Sequence, residues 1–291
     1  MNYRLALFAA IEGPSRFWSQ EIRENGSQQV FESLVSGGYP GNKNSASSIV
    51  KKLKSKSVDS LEEEIEKAHG VFLSPESHGW PSALNDLAIA PIGLVTTGAI
   101  NDSRAISIVG TRNPTLYGMK IASEFATAFS YGEWSIISGG AYGIDTSAHK
   151  GALAAEGRTI AVLASGISVN YPAGNERLFA EIRESGALIS EVMPNVKARP
   201  ERFLTRNRII AALSRGTLVV EAAFRSGSLR TAREAASLYR TVMAIPGPIT
   251  SPTSDGCHRL IQERCAEIVT SPADAIELMN PLTGTLSLNG S

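Results

Sequence analysis

The sequence predicts an α/β protein: an extended, mostly parallel, doubly wound sheet of the Rossmann-like kind, with a small all-helical N-terminal domain ahead of it. Two observations carry this. From residue 105 onward, short runs that are apolar throughout alternate with longer stretches of helical apolar spacing. A strand with no polar side needs cover on both faces, which parallel β-α-β units provide, and their right-handed crossovers wind helices onto both sides of one sheet. By contrast, the apolar residues of roughly the first 70 recur at helical spacing.

Taken in order, residues 5–11, 17–23, 28–34 and 61–69 read as helices, interrupted at 36–44 by a cluster rich in Gly, Pro and Asn. Lys51, Lys52, Lys54 and Lys56 form a basic run, and Glu62, Glu63, Glu64 and Glu66 an acidic one; together they read as a solvated helical face. The helical domain is placed at 1–73, and 74–84 is read as a linker. Within the second domain, 85–280, the expected strands are 105–109, 135–137, 159–164, 187–192, 217–222, 241–245 and 267–269. The expected helices are 117–131, 143–155, 175–184, 203–213, 229–239, 257–265 and 271–279, the last with Ser271 as cap and Pro272 at its first position. The Gly/Ser/Thr-rich 281–291 is expected to be a disordered tail.

Composition narrows the function classes. With 43% hydrophobic and 19% charged residues, the chain is ordinary for a globular protein. No apolar run is long enough to span a bilayer, and residues 5–11 meet Glu12 and Arg16 too soon for a secretory signal, so a cytoplasmic protein with no membrane partner is expected. Cys257 and Cys265 fall on one expected helix, separated by about 12 Å of rise, too far for a disulfide. Reduced thiols and no metal site are expected. The net charge of zero gives no support to a general polyanion binder. Charge is focused instead: between 192 and 215, Lys197, Arg199, Arg202, Arg206, Arg208 and Arg215 stand against Glu201 alone.

In such a sheet, ligands bind beyond the carboxyl ends of the strands, where helix N-termini present free N–H groups. The unusual residues fall there. The first exit carries Arg112, the second Gly139, Gly140, Gly143 and Asp145, the fourth Glu191, and the fifth Glu221 with Ser226 and Ser228. The order G-x-G-x-x-G is absent, the following strand ends without an acid for a ribose, and no P-loop signature occurs, so no cofactor is expected. The glycines bring backbone amides close to an anion, or else serve tight turning alone. Asp145 and His149 lie four apart on one helix and read as a structural pair; no G-x-S-x-G elbow supplies a serine for a hydrolase. Arg206, Asn207 and Arg208 cluster near a helix start with Lys197 and Arg202 upstream, which suits phosphates, and Phe203 among them can stack a base. The plainer reading makes Phe203 the first core residue of its helix and the arginines mere surface.

Together these motifs resemble the DNA-processing protein A family (DprA, also called Smf). The resemblance covers residues 85–270. It rests on Ile108-Val-Gly-Thr-Arg112, Tyr117-Gly118, Ser138-Gly-x-Ala-x-Gly-Ile-Asp145, Ala148-His149, Tyr171-Pro172, Ser190-Glu191, Arg206-Asn-Arg-Ile-Ile210, Glu221, Ser226-Gly-Ser-Leu229, Thr231-Ala232 and Pro246-Gly247. It implies a homodimer that binds single-stranded DNA in a basic pocket, without catalysis or cofactor, and loads RecA recombinase onto incoming DNA in natural transformation and recombination. The DNA contacts it implies are Arg112, the loop from Gly139 through Gly140 to Gly143, Lys197, Phe203, Arg206 and Arg208; Asn207, Ser226 and Ser228 complete the candidate site. The N-terminal region is more weakly similar to the small helical domain (SAM-like or helix-hairpin-helix-like) of many members. The sequence departs from the family pattern at Leu204, where Pro is usual, at Gly140, usually apolar, and at Arg264-Cys265, usually Gly-Ala. No winged-helix domain is expected after Met279.

Two other classes stay open. One is an enzyme acting on nucleoside phosphates, of the phosphoribohydrolase type, with Glu191 and Glu221 as candidate acids but without the P-G-G-x-G-T-x-x-E signature of that group. The other is a scaffold whose basic segment docks an acidic protein.

Overall fold

Five helices open the chain: α1 (Tyr3–Ile11), α2 (Arg16–Asn25), α3 (Ser27–Val35), α4 (Lys43–Ser55) and α5 (Val58–Lys67). The computed structural model describes residues 2–37, 43–100 and 104–280. The expected tail, 281–291, and part of the breaker cluster, 38–42, lie outside the described residues. Polar caps start three of the helices. Asn2, Ser15 and Ser57 side chains accept the amide hydrogens of Leu5, Trp18 and Ser60, satisfying donors that have no partner inside the helix. α1 is the hub, with Leu5, Leu7 and Phe8 sealed from solvent against Trp18, Ile22, Leu34 and Ile65. This apolar cluster continues into Val95, Leu163, Phe179 and Leu188, so the helices seat directly on one face of the sheet.

The sheet holds nine strands in the order β1-β2-β6-β5-β4-β3-β7-β8-β9. In chain order these are β1 (Val71–Leu73), β2 (Leu94–Thr96), β3 (Ala105–Val109), β4 (Ser135–Ser138), β5 (Thr159–Val162), β6 (Ala187–Ser190), β7 (Gly216–Val219), β8 (Thr241–Ala244) and β9 (Glu267–Ile268). From β6 to β9 all neighbours are parallel. At one end of the sheet β1 pairs antiparallel with β2, and β2 pairs antiparallel with β6; the sequence does not predict either β1 or β2. They are three residues long, too short for any period to register, and β1 falls in the stretch read as helical.

Every residue of β3 to β7 is buried, the small polar Ser107, Ser138, Thr159 and Thr217 included, as strands covered on both faces require. Alternation sorts their side chains between two layers. In β3, Ile106 and Ile108 face Phe125 and Phe129 of α6 (Leu116–Tyr131), with Ile144 and Ala148 of α7 (Ile144–Ala154). Ala105 and Val109 point the other way, toward Ile209 and Ile210. After α8 (Glu176–Ser185) come two short helices, α9 (Pro200–Thr205) and α10 (Asn207–Ala212), where one continuous helix was expected; the break falls at Arg206. α11 (Ser228–Ser237), α12 (Asp255–Gln262) and α13 (Pro272–Met279) complete the fold. α13 begins with the expected Ser271 cap and Pro272. α12 ends before Cys265, because Arg264 turns left-handed at φ 54°, so the two cysteines do not share a helix; both are free thiols.

The chain runs from β3 outward to β4, β5 and β6, then returns to β7 on the other side of β3. The strand order therefore reverses between β3 and β7, and a crevice opens at their carboxyl ends.

Candidate nucleic-acid interface

At that reversal a pocket of about 200 Å³ is lined by Gly110, Arg112, Ala141, Asp145, Phe203, Arg206, Asn207 and the Ser226–Gly227–Ser228 turn. Residues from the exits of β3, β4 and β7 and from α9 meet here, as the strand-exit argument predicts.

Arg206 is the keystone of the pocket wall, and its role differs from the one expected. The sequence predicts a cation facing phosphate, yet only 7% of its surface is exposed. Its Nη1 donates to the carbonyl oxygens of Gly139, at 2.6 Å, and Val162, and its Nε donates to Asn207 Oδ1 at 3.0 Å. Nη2 stands 3.9 Å from Asp145 Oδ2. Burial lowers its pKa to about 10, with Asp145 opposing the shift, so the guanidinium stays protonated at neutral pH. Burial likewise pushes the Asp145 carboxyl up, against the pull of Arg206 and of two backbone amides.

Those amides are the ones expected to meet a phosphate. The N–H groups of Gly139 and Ala141 donate to Asp145 Oδ2 at 3.2 and 3.3 Å, so Asp145 occupies the place of the anion. Gly139 is required by proximity: a Cβ there would stand 2.1 Å from the Arg206 guanidinium. At Gly143 φ is +84°, and a Cβ would meet the Thr111 carbonyl at 2.4 Å, which locks the β4 exit against the β3 exit. Gly140 is buried against Phe179.

Two further expectations are corrected. Asp145 and His149 do not pair: His149 Nδ1 bonds Thr159 Oγ1 at 2.7 Å while its Nε2 has no partner. Since the Thr159 hydroxyl donates to the Ile136 carbonyl, Nδ1 carries the proton, and burial holds the ring neutral with a pKa of about 3. Arg208 also leaves the rim. It is 7% exposed and ion-paired with the buried Glu191, whose carboxyl burial raises and Arg208 lowers. Neither arginine can reach outward because the strand exits beneath them present unpaired carbonyls and a carboxylate that only a buried donor satisfies.

What stays exposed is Arg112, Lys197 and the aromatic rim. The Arg112 guanidinium lies 4.7 Å from the Phe203 ring centroid, a cation–π contact at the pocket mouth. Phe203 is half-buried, and on another side touches Tyr171, centroids 5.4 Å apart and tilted 59°. Lys197 is exposed ahead of α9 and outside the pocket lining. Asn207 Nδ2 donates to the Gly227 carbonyl at 3.1 Å, and Ser226 and Ser228 share a hydroxyl contact of 2.7 Å, so these three shape the turn after β7. That turn also carries Arg225, an exposed cation without an ion pair among the described residues, which no cluster of neighbouring cations marks in the sequence.

The acids considered for catalysis are both engaged. Glu191 holds Arg208, and Glu221 accepts from the Thr115 amide at 2.9 Å, the Thr115 hydroxyl at 2.7 Å and the Thr253 hydroxyl at 3.3 Å. Among the described residues no group of three or more His, Cys, Asp or Glu side chains could hold a metal ion, and no helix is long and apolar enough to cross a membrane.

Residues 71–280 match the family model described as DNA recombination-mediator protein A. The chain belongs to this family. This recombination-mediator A chain is 38% identical over 218 residues to DNA processing protein DprA of Streptococcus pneumoniae, covering 74% of this chain and 76% of that protein. It is 47% identical over 176 residues to a putative DNA processing protein DprA of Mycobacterium tuberculosis, covering 60% of this chain but only 45% of the relative. The chain thus spans under half the length of that relative. In three dimensions it matches S. pneumoniae DprA with a TM-score of 0.80 at 32% identity, over 95% of this chain and 97% of that one. DNA processing protein A from Helicobacter pylori, known for its single-stranded DNA binding mode, matches with a TM-score of 0.66 at 27% identity, over 73% and 97% of the two chains.

Proposed function

We propose that this chain binds single-stranded DNA across the carboxyl ends of β3, β4 and β7 and delivers it to a RecA-type recombinase. The observation that carries the reading is Arg112: exposed, free of any ion pair among the described residues, and stacked on Phe203 at the mouth of the pocket. A guanidinium in that setting meets a phosphate or stacks under a base, and the ring beside it accepts any base. Lys197 and Arg225 add exposed positive charge nearby in sequence to the pocket residues, while buried Arg206 keeps a fixed positive charge in the pocket wall. The binding mode of the H. pylori relative supports the same ligand here. Membership of the family supports a wider reading: a cytoplasmic homodimer without catalysis that protects incoming DNA and loads RecA in natural transformation and recombination.

Fluorescence anisotropy with labelled oligonucleotides tests the binding. Single strands bind more tightly than duplex, and log affinity falls with log salt by about 0.7 per phosphate contacted. Arg112→Ala weakens binding and reduces that slope by about 0.7. Equal affinity of wild type and Arg112→Ala refutes the assignment. Release of adenine from AMP would favour the phosphoribohydrolase reading instead.

A further inference from the structure

Tyr171 lies at the exit of β5, in no role that the pocket requires. The residue is 48% exposed, and its hydroxyl makes no hydrogen bond among the described residues. Yet the turn that carries it is tied down. Asn175 donates to the Gly140 carbonyl at 3.0 Å and to Thr146 Oγ1 at 2.8 Å, and the Gly174 amide donates to the Tyr142 hydroxyl at 3.1 Å. The β5 exit is thereby anchored to the β4 exit, and the Tyr171 ring is held against Phe203. A large flat ring, half open and rigidly mounted beside a cation–π pair, is the geometry of a stacking platform.

Resting on the single-strand reading above, we infer that Tyr171 is a second base-stacking place, so that the rim takes consecutive unpaired bases, one at Arg112 and Phe203 and the next on Tyr171. The two rings touch at 5.4 Å and 59°, leaving no slot between them. That separation exceeds the roughly 3.4 Å rise of stacked bases, so neighbouring bases are splayed apart, each on its own ring. Bases in a duplex already stack on one another and cannot offer their faces. Tyr171 therefore adds to the preference for single strands without adding charge, and it is indifferent to base identity because every base has a π-face.

The test uses the full chain and anisotropy with a short oligothymidylate, a strand of equal length made of abasic sites, and a duplex. Tyr171→Ala weakens oligothymidylate binding by about tenfold. Tyr171→Leu, which keeps apolar bulk against Phe203, loses as much, and Tyr171→Phe binds like wild type. On the abasic strand wild type and Tyr171→Ala bind equally, and the salt slope is unchanged because no phosphate contact is lost. An equal loss on the abasic strand, or no loss on oligothymidylate, overturns the inference. If Arg112→Ala weakens binding but Tyr171→Ala and Tyr171→Leu do not, this inference alone falls. If wild type fails to bind single strands, the functional reading falls with it.

Discussion

Replacing Arg206 by alanine separates a structural arginine from a ligand-binding one. The guanidinium donates to the Gly139 and Val162 carbonyls and to Asn207 Oδ1, and neutralises Asp145 across 3.9 Å. At that distance the Coulomb attraction is about 4 kcal/mol for an effective dielectric constant near 20. Removing one partner of a buried pair costs about 3–5 kcal/mol, since the other charge stays buried, and the orphaned carbonyls add to it non-additively. Arg206→Ala should therefore lose about 3–5 kcal/mol, lowering Tm by roughly 6–20 °C for a domain of this size. Arg206→Ala with Asp145→Asn should regain part of that, because the unpaired carboxylate is gone. Arg112→Ala loses a cation–π contact at an exposed site, about 0.5–1 kcal/mol, and should melt close to wild type while its DNA affinity falls. Thermal unfolding by circular dichroism, alongside anisotropy on the same preparations, reads both. An Arg206→Ala variant that melts like wild type and loses only DNA affinity would show that the guanidinium faces ligand, contrary to the geometry.

Other outcomes follow from single groups. The pKa of His149 is about 3 in the folded chain against an ordinary 6.5, so protonation favours unfolding. Its contribution is fully present above pH 6.5 and is lost as pH falls through about 3, at about 1.4 kcal/mol per pH unit between; urea unfolding of His149→Gln across that window should show a shallower acid slope. Gly143→Ala forces a Cβ into the Thr111 carbonyl at positive φ, and should cost about 1–3 kcal/mol in denaturant unfolding and weaken single-strand binding, because the β3 and β4 exits move apart. The Cys257 thiol is buried and pushed up to about 12, so a thiol reagent should label Cys265 in the native chain and reach Cys257 only after unfolding.

The central strands were legible because they are buried on both faces. The segment 105–109 is apolar but for Ser107, a small residue whose hydroxyl donates to the Ile210 carbonyl inside the core, and β3 spans those same residues. The exits were legible for a related reason: parallel topology sends Arg112, Gly143, Phe203 and Ser226 to one edge whatever the loop details. Legibility stopped where local sequence competes with tertiary partners. Residues 203–213 have helical periodicity throughout, but the chain breaks at Arg206, whose side chain turns in to the carbonyls of Gly139 and Val162. Asp145 and His149 have ideal spacing for a pair, yet Asp145 is drawn to the loop amides and His149 to Thr159.

By itself, then, the chain's pattern of apolar runs, glycines and arginines determined a doubly wound sheet and the rim on which its polar residues gather, because side-chain periodicity and crossover handedness are local properties of the backbone. Only the tertiary structure decided which cations of that rim face outward. A charged group's fate depends on the carbonyls and carboxylates that other strands bring beneath it. Arg206 and Arg208 lie above such acceptors and are drawn in, and Arg112 lies on an aromatic ring and is left exposed.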